Sequence, residues 1–395
     1  SEAFESVMSA YRLPKATEIE KNQRSEEIRN ATIGAALAPL NTASSAQKLL
    51  SNLEKQCESC NPNALTDLAS ASEMALSATK IASLNVRINL EYIQGDVTKL
   101  ADIQAACRGI DTVYCTFAII RYFERLPVYA ELSERINVGG TDRVLEACQA
   151  EGVKRLVHTS TSNVCAAPTL VTMEMTEESP YVDRTTSPNH YGWTKALAEQ
   201  RVLNANGRGG MVTGSIRPCS GIFGRRDKMN LERLFKDRQA MMVKPRAYMD
   251  YVFVDNVAWG HLLLERAMQD GNEAVAGHAF CVGNEDPMSS EDFYFSAKAV
   301  VPDIKINYMP FVFVRLLAHG VETMQRMVPF KLTPDKVGDL AICSPAMLDT
   351  CMSYVFKSTK AKEVLGYRPI YTVDQGIQKS FREYEAGVIL PAIES

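Results

Sequence analysis

The sequence predicts an α/β protein: a doubly wound, mainly parallel sheet over about residues 30–250, with a smaller C-terminal α/β lobe. Three observations predict it. Strand-like and helix-like stretches alternate from Leu90 to Pro218. The stretches have the lengths of parallel βαβ units. After Gly224 the pattern loosens into mixed helices and short strands, with no Gly/Ser-rich linker before it, so lobe and core are expected to share an interface.

In chain order, Leu90–Gln94 reads as a strand, Gly95-Asp96 as a turn and Ala101–Cys107 as a helix. Thr112–Thr116 is a buried strand, followed by a long helix from about Tyr129 to Glu151. Arg155–Thr159 is the next strand, His190–Asn206 the next helix, and Val212–Pro218 another strand. Residues 1–29 are expected to lie outside the sheet as an extension. Residues 30–224 form the core, and residues 225–395 the lobe, which shares some strands with it.

Composition narrows the partners. At 395 residues and 46% hydrophobic content the chain can bury a sizeable core, and a net charge of −4 argues against nucleic acid. The basic cluster Arg225-Arg226-Asp227-Lys228 reads as a solvated loop close to where a phosphate would arrive. Ten scattered Cys fit an intracellular, reducing compartment, cytoplasmic or organellar, better than a disulfide framework. Cys57-Glu-Ser-Cys60 is a lone CxxC, read as two unpaired thiols, and no His has metal-like spacing, so no metal site is expected. The strongest apolar run, Pro310–Leu317, is too short to span a membrane and is interrupted by Arg315. It reads as the start of a core helix, the alternative being a surface that rests on a membrane. The first thirty residues mix acids and bases and resemble no presequence, and a chain opening at Ser1 is expected to have lost either an initiator Met or a longer leader.

The chemistry sits in Tyr191-Gly-Trp-Thr-Lys195 and in the hydroxyl run Thr159-Ser160-Thr161-Ser162. A Tyr and a Lys four apart share one helix face, one turn from each other. The ammonium favours the phenolate and so lowers the Tyr pKa. A hydroxyl from the end of the strand Arg155–Thr159 can then hold a substrate oxygen against the phenol, which makes the set an acid/base apparatus for hydride transfer.

The chain resembles the extended short-chain dehydrogenase/reductases, and among them the 3β-hydroxysteroid and sterol-4α-carboxylate dehydrogenase branch. The matching text, over roughly residues 88–385, is Gln94–Thr98, Ile136–Thr141, Leu156–Val164, Tyr191–Lys195, Ile216–Gly224, Tyr251–Ala258 and Lys360–Pro369. The resemblance implies a Rossmann-like sheet and an NAD or NADP cofactor. It implies Tyr191 as proton donor/acceptor, with Lys195 lowering its pKa and holding the nicotinamide ribose. Thr161 falls at the catalytic Ser position, with Ser162 a register-shifted alternative. Asn137 would support the active-site helix. Asp96 and Val97 would contact the adenine, Thr116, Phe117 and Ala118 would line the cofactor, and Pro218 to Ile222 would cover the nicotinamide.

One departure stands out. The family opens with a glycine-rich βα turn whose free N–H groups hold the pyrophosphate. The only candidate for that unit here is Ala31–Thr42 with a following helix Ala43–Glu54, which places Ala36, Pro39 and Thr42 at the three glycine positions. Pro39 brings a ring and no N–H where backbone should approach phosphate. Residues 61–88, rich in Ala, Ser and Asn, lack the β-branched strand ending in an acid or Arg that would select NAD or NADP. Two readings follow. In the first, the protein is an NAD(P)-dependent oxidoreductase acting on a secondary alcohol or ketone of a sterol-like or other apolar small molecule. In the second, it is a catalytically silent accessory subunit of a larger assembly, organellar membrane complexes included, and has lost its dinucleotide site. The state of association is left open, as homo-oligomer or as subunit of a larger complex.

Overall fold

The structure is a computed structural model that describes residues 2–14, 16–57, 71–72, 74–75, 78, 95–120, 127, 130–165, 171–187, 189–219, 221–225, 227, 231–244, 248–327 and 353–385. The chain divides into two compact units, Ser1–Gln94 and Gly95–Ser395.

The first unit holds two long elements, α1 (Glu2–Tyr11) and α2 (Glu18–Cys57). A capping box opens α2. The Glu20 N–H donates to Thr17 Oγ1 at 3.2 Å, and the Glu20 carboxylate accepts from the Thr17 and Ala16 N–H groups at 2.9 Å. Arg24 joins the two helices by donating to the Tyr11 carbonyl at 3.2 Å while lying 5.6 Å over the Tyr11 ring.

Here the structure corrects the sequence. Helix α2 runs unbroken through Ala31–Thr42, so the βα turn expected there does not form, and the helix expected over Ala43–Glu54 is the last part of α2. The physical reason is composition. Ala and Leu, the strongest helix formers, fill half of Ala31–Thr42, and its β-branched residues, Thr32, Ile33 and Thr42, do not form the continuous run that would favour a strand. Pro39 removes one rung of the hydrogen-bond ladder without ending the helix. The strand expected at Leu90–Gln94 and nearly all of residues 61–88 lie outside the described residues.

The second unit begins with α3 (Leu100–Cys107) and β1 (Thr112–Cys115). The long helix expected near residues 129–151 follows as α4 (Ala130–Ser133), a π turn (Glu134–Gly140) and α5 (Thr141–Ala150). Next come β2 (Arg155–Thr159), β3 (Val171–Met175), α6 (His190–Asn204), β4 (Val212–Pro218) and β5 (Ile222–Phe223). The remainder comprises α7 (Leu231–Asp237), β6 (Gln239–Lys244), β7 (Tyr248–Met249), β8 (Val252–Phe253), α8 (Val254–Gln269), β9 (His278–Val282), β10 (Met288–Ser289) and α9 (Ser290–Val300). It closes with β11 (Lys305–Pro310), α10 (Phe311–Met327), β12 (Ser353–Phe356), α11 (Thr359–Leu365) and α12 (Val373–Glu385).

Strands β1, β2, β4 and β9 form one sheet in that order, every neighbouring pair parallel. The pleat sorts β2 between two layers. Leu156 packs on one face with Val144, Ala147 and Val202 from the helices and with Met211 from the turn before β4. Val157 packs with Leu264, Met268 and Phe280 on the other. Helices on both faces of a parallel sheet make the doubly wound architecture that the alternation predicts. A second hydrophobic cluster, in which Tyr251 stacks on Phe293 at 4.0 Å, gathers mostly residues after Gly224, and the mixed sheet β10-β7-β12-β3 joins strands from before and after that glycine. Helix α10 is not the core helix expected of Pro310–Leu317. Val314 and Ala318 are buried, but Val312 and Leu316 are each 68% exposed.

A buried ion pair ties α6 to β4. Arg217 Nε donates to Glu199 Oε2 at 2.9 Å and its Nη2 lies 2.9 Å from the same oxygen, with both side chains almost wholly buried. Its Nη1 donates to the Glu177 carbonyl at 3.0 Å, and the guanidinium lies 5.0 Å over the Tyr181 ring. Replacing one partner strands the other charge, so Arg217→Met should cost about 3–5 kcal/mol of stability, while the double substitution E199L/R217M should recover most of it. Urea unfolding followed by circular dichroism measures both, and a cost-free R217M would show that the pair does not secure the helix.

Candidate active site

Because β1, β2 and β4 are parallel, the segments that follow them emerge along one edge of the sheet, where ligands bind in open α/β folds. Thr116–Ala118 follow β1, Ser160–Ser162 follow β2, Pro218 ends β4, and Cys219 and Gly221 lie between it and Ile222 of β5. Helix α6 meets them with Tyr191 and Lys195. It is started by Asn189, whose Oδ1 accepts from the Gly192 N–H at 2.8 Å. Gly192 is required by close approach: a Cβ there would lie 2.6 Å from Ser187 Oγ and 3.1 Å from the Asn163 carbonyl.

Tyr191 and Thr161 come together as expected. The phenol is buried and hydrogen-bonds the Thr161 hydroxyl. Thr161 Oγ1 also accepts from the Asn163 N–H at 3.3 Å, which caps the short 3₁₀ turn Ser162–Val164. Ser162 is fully buried inside that turn, which favours Thr161 over the register-shifted alternative. Burial pushes the Tyr191 pKa up to about 12, and the Thr161 hydrogen bond pulls it only partly back. The lowering expected from Lys195 does not dominate: withdrawal from water penalises the phenolate more.

Lys195 points into the strand–helix interface. Its Nζ donates to the Thr159 carbonyl at 2.7 Å and lies 3.1 Å from His158 Nε2. Burial lowers its pKa to about 8, with Cys115 and Glu199 acting in the opposite direction. Asn137, carried by the π turn, links the two walls. Its Oδ1 accepts from the Ile119 N–H at 2.8 Å, and its Nδ2 donates to the Ile119 carbonyl and to Thr194 Oγ1, both at 3.1 Å. The segment after β1 is thereby fastened to the residue beside Lys195.

The remaining expected residues fall into place unevenly. Val97 and Phe117 meet over Gly140, where a Cβ would lie 3.1 Å from Val97 Cγ2 and 2.9 Å from Phe117 Cε2. Asp96 is exposed and accepts from the Thr98 N–H and hydroxyl at 2.9 and 2.8 Å, so part of its capacity serves its own turn. Pro218 is buried at the end of β4, and Ile222 is 41% exposed at the start of β5. Sequence reasoning missed three partners: His158, Thr194 and His261, whose Nε2 lies 2.7 Å from Thr159 Oγ1. Strand alternation held the signal for His158, since it shares a face of β2 with Leu156 and Ser160, toward α6. Among the described residues, no three His, Cys, Asp or Glu are grouped to hold a metal ion.

Judged among the described residues, these groups fit the nicotinamide end of a dinucleotide: an ammonium with one N–H uncommitted, a phenol paired with a hydroxyl, and, just past the end of β2, the unpartnered buried Ser160 Oγ. The pyrophosphate end does not fit at the residues expected to serve it. Ala36, Pro39 and Thr42 lie inside α2, where helix amides are engaged in the ladder and offer no open N-terminus.

Fold and site together define an extended short-chain dehydrogenase/reductase, a class of NAD(P)-dependent oxidoreductases. The sequence model of the 3-beta hydroxysteroid dehydrogenase/isomerase family matches residues 62–299. The chain belongs to that family. It is 29% identical over 293 residues to short-chain dehydrogenase/reductase family 42E member 1 of Macaca fascicularis, covering 71% of this chain and 73% of that protein. It is 30% identical over 313 residues to 3beta-hydroxysteroid-dehydrogenase/decarboxylase isoform 1 of Arabidopsis thaliana, covering 75% and 67%. In fold it resembles dTDP-glucose 4,6-dehydratase from Streptomyces venezuelae, solved with NAD bound, at a TM-score of 0.56, 18% identity and coverage of 77% and 84%. A second sequence model, formiminotransferase-cyclodeaminase, matches residues 1–109, a range that contains α1 and α2.

The displaced Lys195 pKa carries a stability signature. A folded-state value near 8 lies below the ordinary 10.5, so the unfolded chain holds this proton longer and stability rises as pH climbs from about 8 toward 10. The full difference corresponds to about 3 kcal/mol. Lys195→Met should remove that rising limb from a plot of unfolding free energy against pH. A limb unchanged in K195M would place the titration elsewhere.

Proposed function

We propose that this chain is an NAD(P)-dependent oxidoreductase that interconverts a secondary alcohol and a ketone on a sterol-like or other apolar substrate. One observation carries the reading: the Tyr191 phenol hydrogen-bonds the Thr161 hydroxyl at the sheet edge, with Lys195 one helical turn away. Thr161 holds the substrate oxygen. Tyr191, protonated at neutral pH, delivers its proton to that oxygen in reduction, and the phenolate accepts it in oxidation. Lys195 would steady the phenolate and hold the nicotinamide ribose, Asn137 fixes the walls, and Thr116–Ala118 with Pro218 and Ile222 would line the nicotinamide. A bound nicotinamide supplies or takes the hydride. The substrate class is supported by the names of the relatives, and contact with a lipid surface through Val312, Phe313 and Leu316 suits an apolar substrate. Cosedimentation with phosphatidylcholine vesicles should fall when Phe313 and Leu316 are both replaced by Ser.

A second reading is supported by one finding: the residues aligned with the phosphate-binding turn are helical. It makes the protein an accessory subunit that retains the proton-transfer residues without a dinucleotide. Two measurements separate the readings. Calorimetric titration with NADH and NADPH should give binding weaker than micromolar, less favourable than about −8 kcal/mol. Tighter binding of either would dismiss the accessory reading. Tyr191→Phe should lower turnover of a 3β-hydroxysterol by about 10²–10⁴-fold with the fold intact, and undiminished turnover would remove Tyr191 from the mechanism.

A further inference from the structure

His158 has no part in the chemistry so far described, yet its side chain lies directly against the Lys195 ammonium. It lies on β2, fully buried, with Nε2 3.1 Å from Lys195 Nζ. An ammonium has only N–H donors, so Nε2 must be the acceptor and the ring hydrogen must sit on Nδ1. Nδ1 has no hydrogen-bond partner among the described residues. A structural histidine would be expected to use both nitrogens, as His261 does: its Nδ1 lies 2.8 Å from the Val257 carbonyl and its Nε2 2.7 Å from Thr159 Oγ1. His158 therefore leaves a buried donor unmade while committing its other nitrogen to Lys195.

We infer that His158 is a positioning residue of this site: as a neutral imidazole it accepts a hydrogen bond from the Lys195 ammonium, keeping it charged and oriented. The inference rests on the reading of Lys195 as part of the active site. The surroundings favour the neutral ring from every side. Burial, then the Lys195 charge, then His261 from α8 all hold its pKa far below the ordinary range. Facing the ammonium are His158 and the Thr159 carbonyl from β2, the Cys115 thiol from β1, and Glu199 one turn further along α6. Burial keeps the Cys115 thiol protonated, and Glu199 is committed to Arg217. His158 and the Thr159 carbonyl are thus the direct acceptors, and the third N–H is left for the site. Without the imidazole the ammonium would rest on one acceptor, and its proton would leave at lower pH.

The test needs neither substrate nor nucleotide, so it stands apart from whether the protein turns over. Protein carrying lysine labelled with ¹³C at Cε and histidine labelled with ¹⁵N in the ring is titrated by NMR, with K195M and H158Q used for assignment. Wild type should show His158 as the neutral Nδ1–H tautomer throughout the range in which Lys195 is charged. In His158→Phe, which keeps a ring but loses the acceptor, the Lys195 midpoint should fall by about one pH unit, a tenfold change in its protonation equilibrium. In His158→Gln, whose carbonyl can take the same hydrogen bond, it should return to within about half a unit of wild type. The H158F thermal midpoint should change little, because losing the unpartnered Nδ1–H donor offsets the loss of one acceptor on the buried ammonium. An Nε2–H tautomer in wild type overturns the inference. So does an H158F protein whose Lys195 midpoint does not move, and lower thermal stability in that same protein would make His158 a packing residue only. Should H158F fail to fold, the wild-type tautomer and the H158Q titration decide.

Discussion

The buried pair of Glu199 and Arg217 is the constraint on which the site's geometry hangs. Glu199 lies four residues beyond Lys195 on α6, and Arg217 is the residue before Pro218 at the end of β4. Joining them fixes the helix that presents Tyr191 and Lys195 against the strand whose end leads into the segment expected over the nicotinamide. Arg217 also gathers the Glu177 carbonyl, Cys165 Sγ and the Tyr181 ring, so three further segments take their positions from the same guanidinium. Charges this deep are tolerated only when each is matched, and here the matching is what sets the spacing.

The same low-dielectric setting explains why the two reactive groups depart from their ordinary pKa values in opposite senses. Burial raises the phenol and lowers the ammonium, since each favours its uncharged form away from water. In the free protein Tyr191 is thus held as an acid, paired with Thr161, while Lys195 is turned toward β2. The elements that bring them together are rigid ones. Asn137 spans from the loop after β1 to Thr194, and Gly192 lets the start of α6 settle against Asn163.

What was legible in the sequence followed from how local each signal is. Strands Arg155–Thr159 and Val212–Pro218 lie where the sequence places them, because short stretches carrying Leu156-Val157 and Val212, Thr213 and Ile216 alternate with helix-length segments as parallel βαβ units do. The Tyr191/Lys195/Thr161 set was readable because helix spacing and a strand end fix it. The segment Ala31–Thr42 was misread because alignment to an expected turn outweighed its own helical composition, and the capping box Thr17–Glu20 was an overlooked signal of where that helix starts. His158 could be placed on a face of β2 by strand alternation, but its partner, like that of His261, could not be read. Their roles depend on contacts across β2, α6 and α8 that no sequence interval encodes, such as Thr159 to His261, 102 positions apart. The reading of Pro310–Leu317 as core failed because an amphipathic helix carries an apolar stripe whichever medium that stripe meets.

The π turn at Glu134–Gly140 gives the site a dependence on residue count rather than residue type. A wide turn holds one residue more than the α-helix it interrupts, and each helical residue accounts for about 100° of rotation. A deletion anywhere in that turn would let the helix relax to regular α geometry, with a better hydrogen-bonded backbone. It would also swing Asn137 away from Ile119 and Thr194, so that the wall after β1 and the helix of Lys195 would lose their common fastening. The length of this turn is thus as much a part of the site as the identity of Asn137: here the wider helix is the competent one.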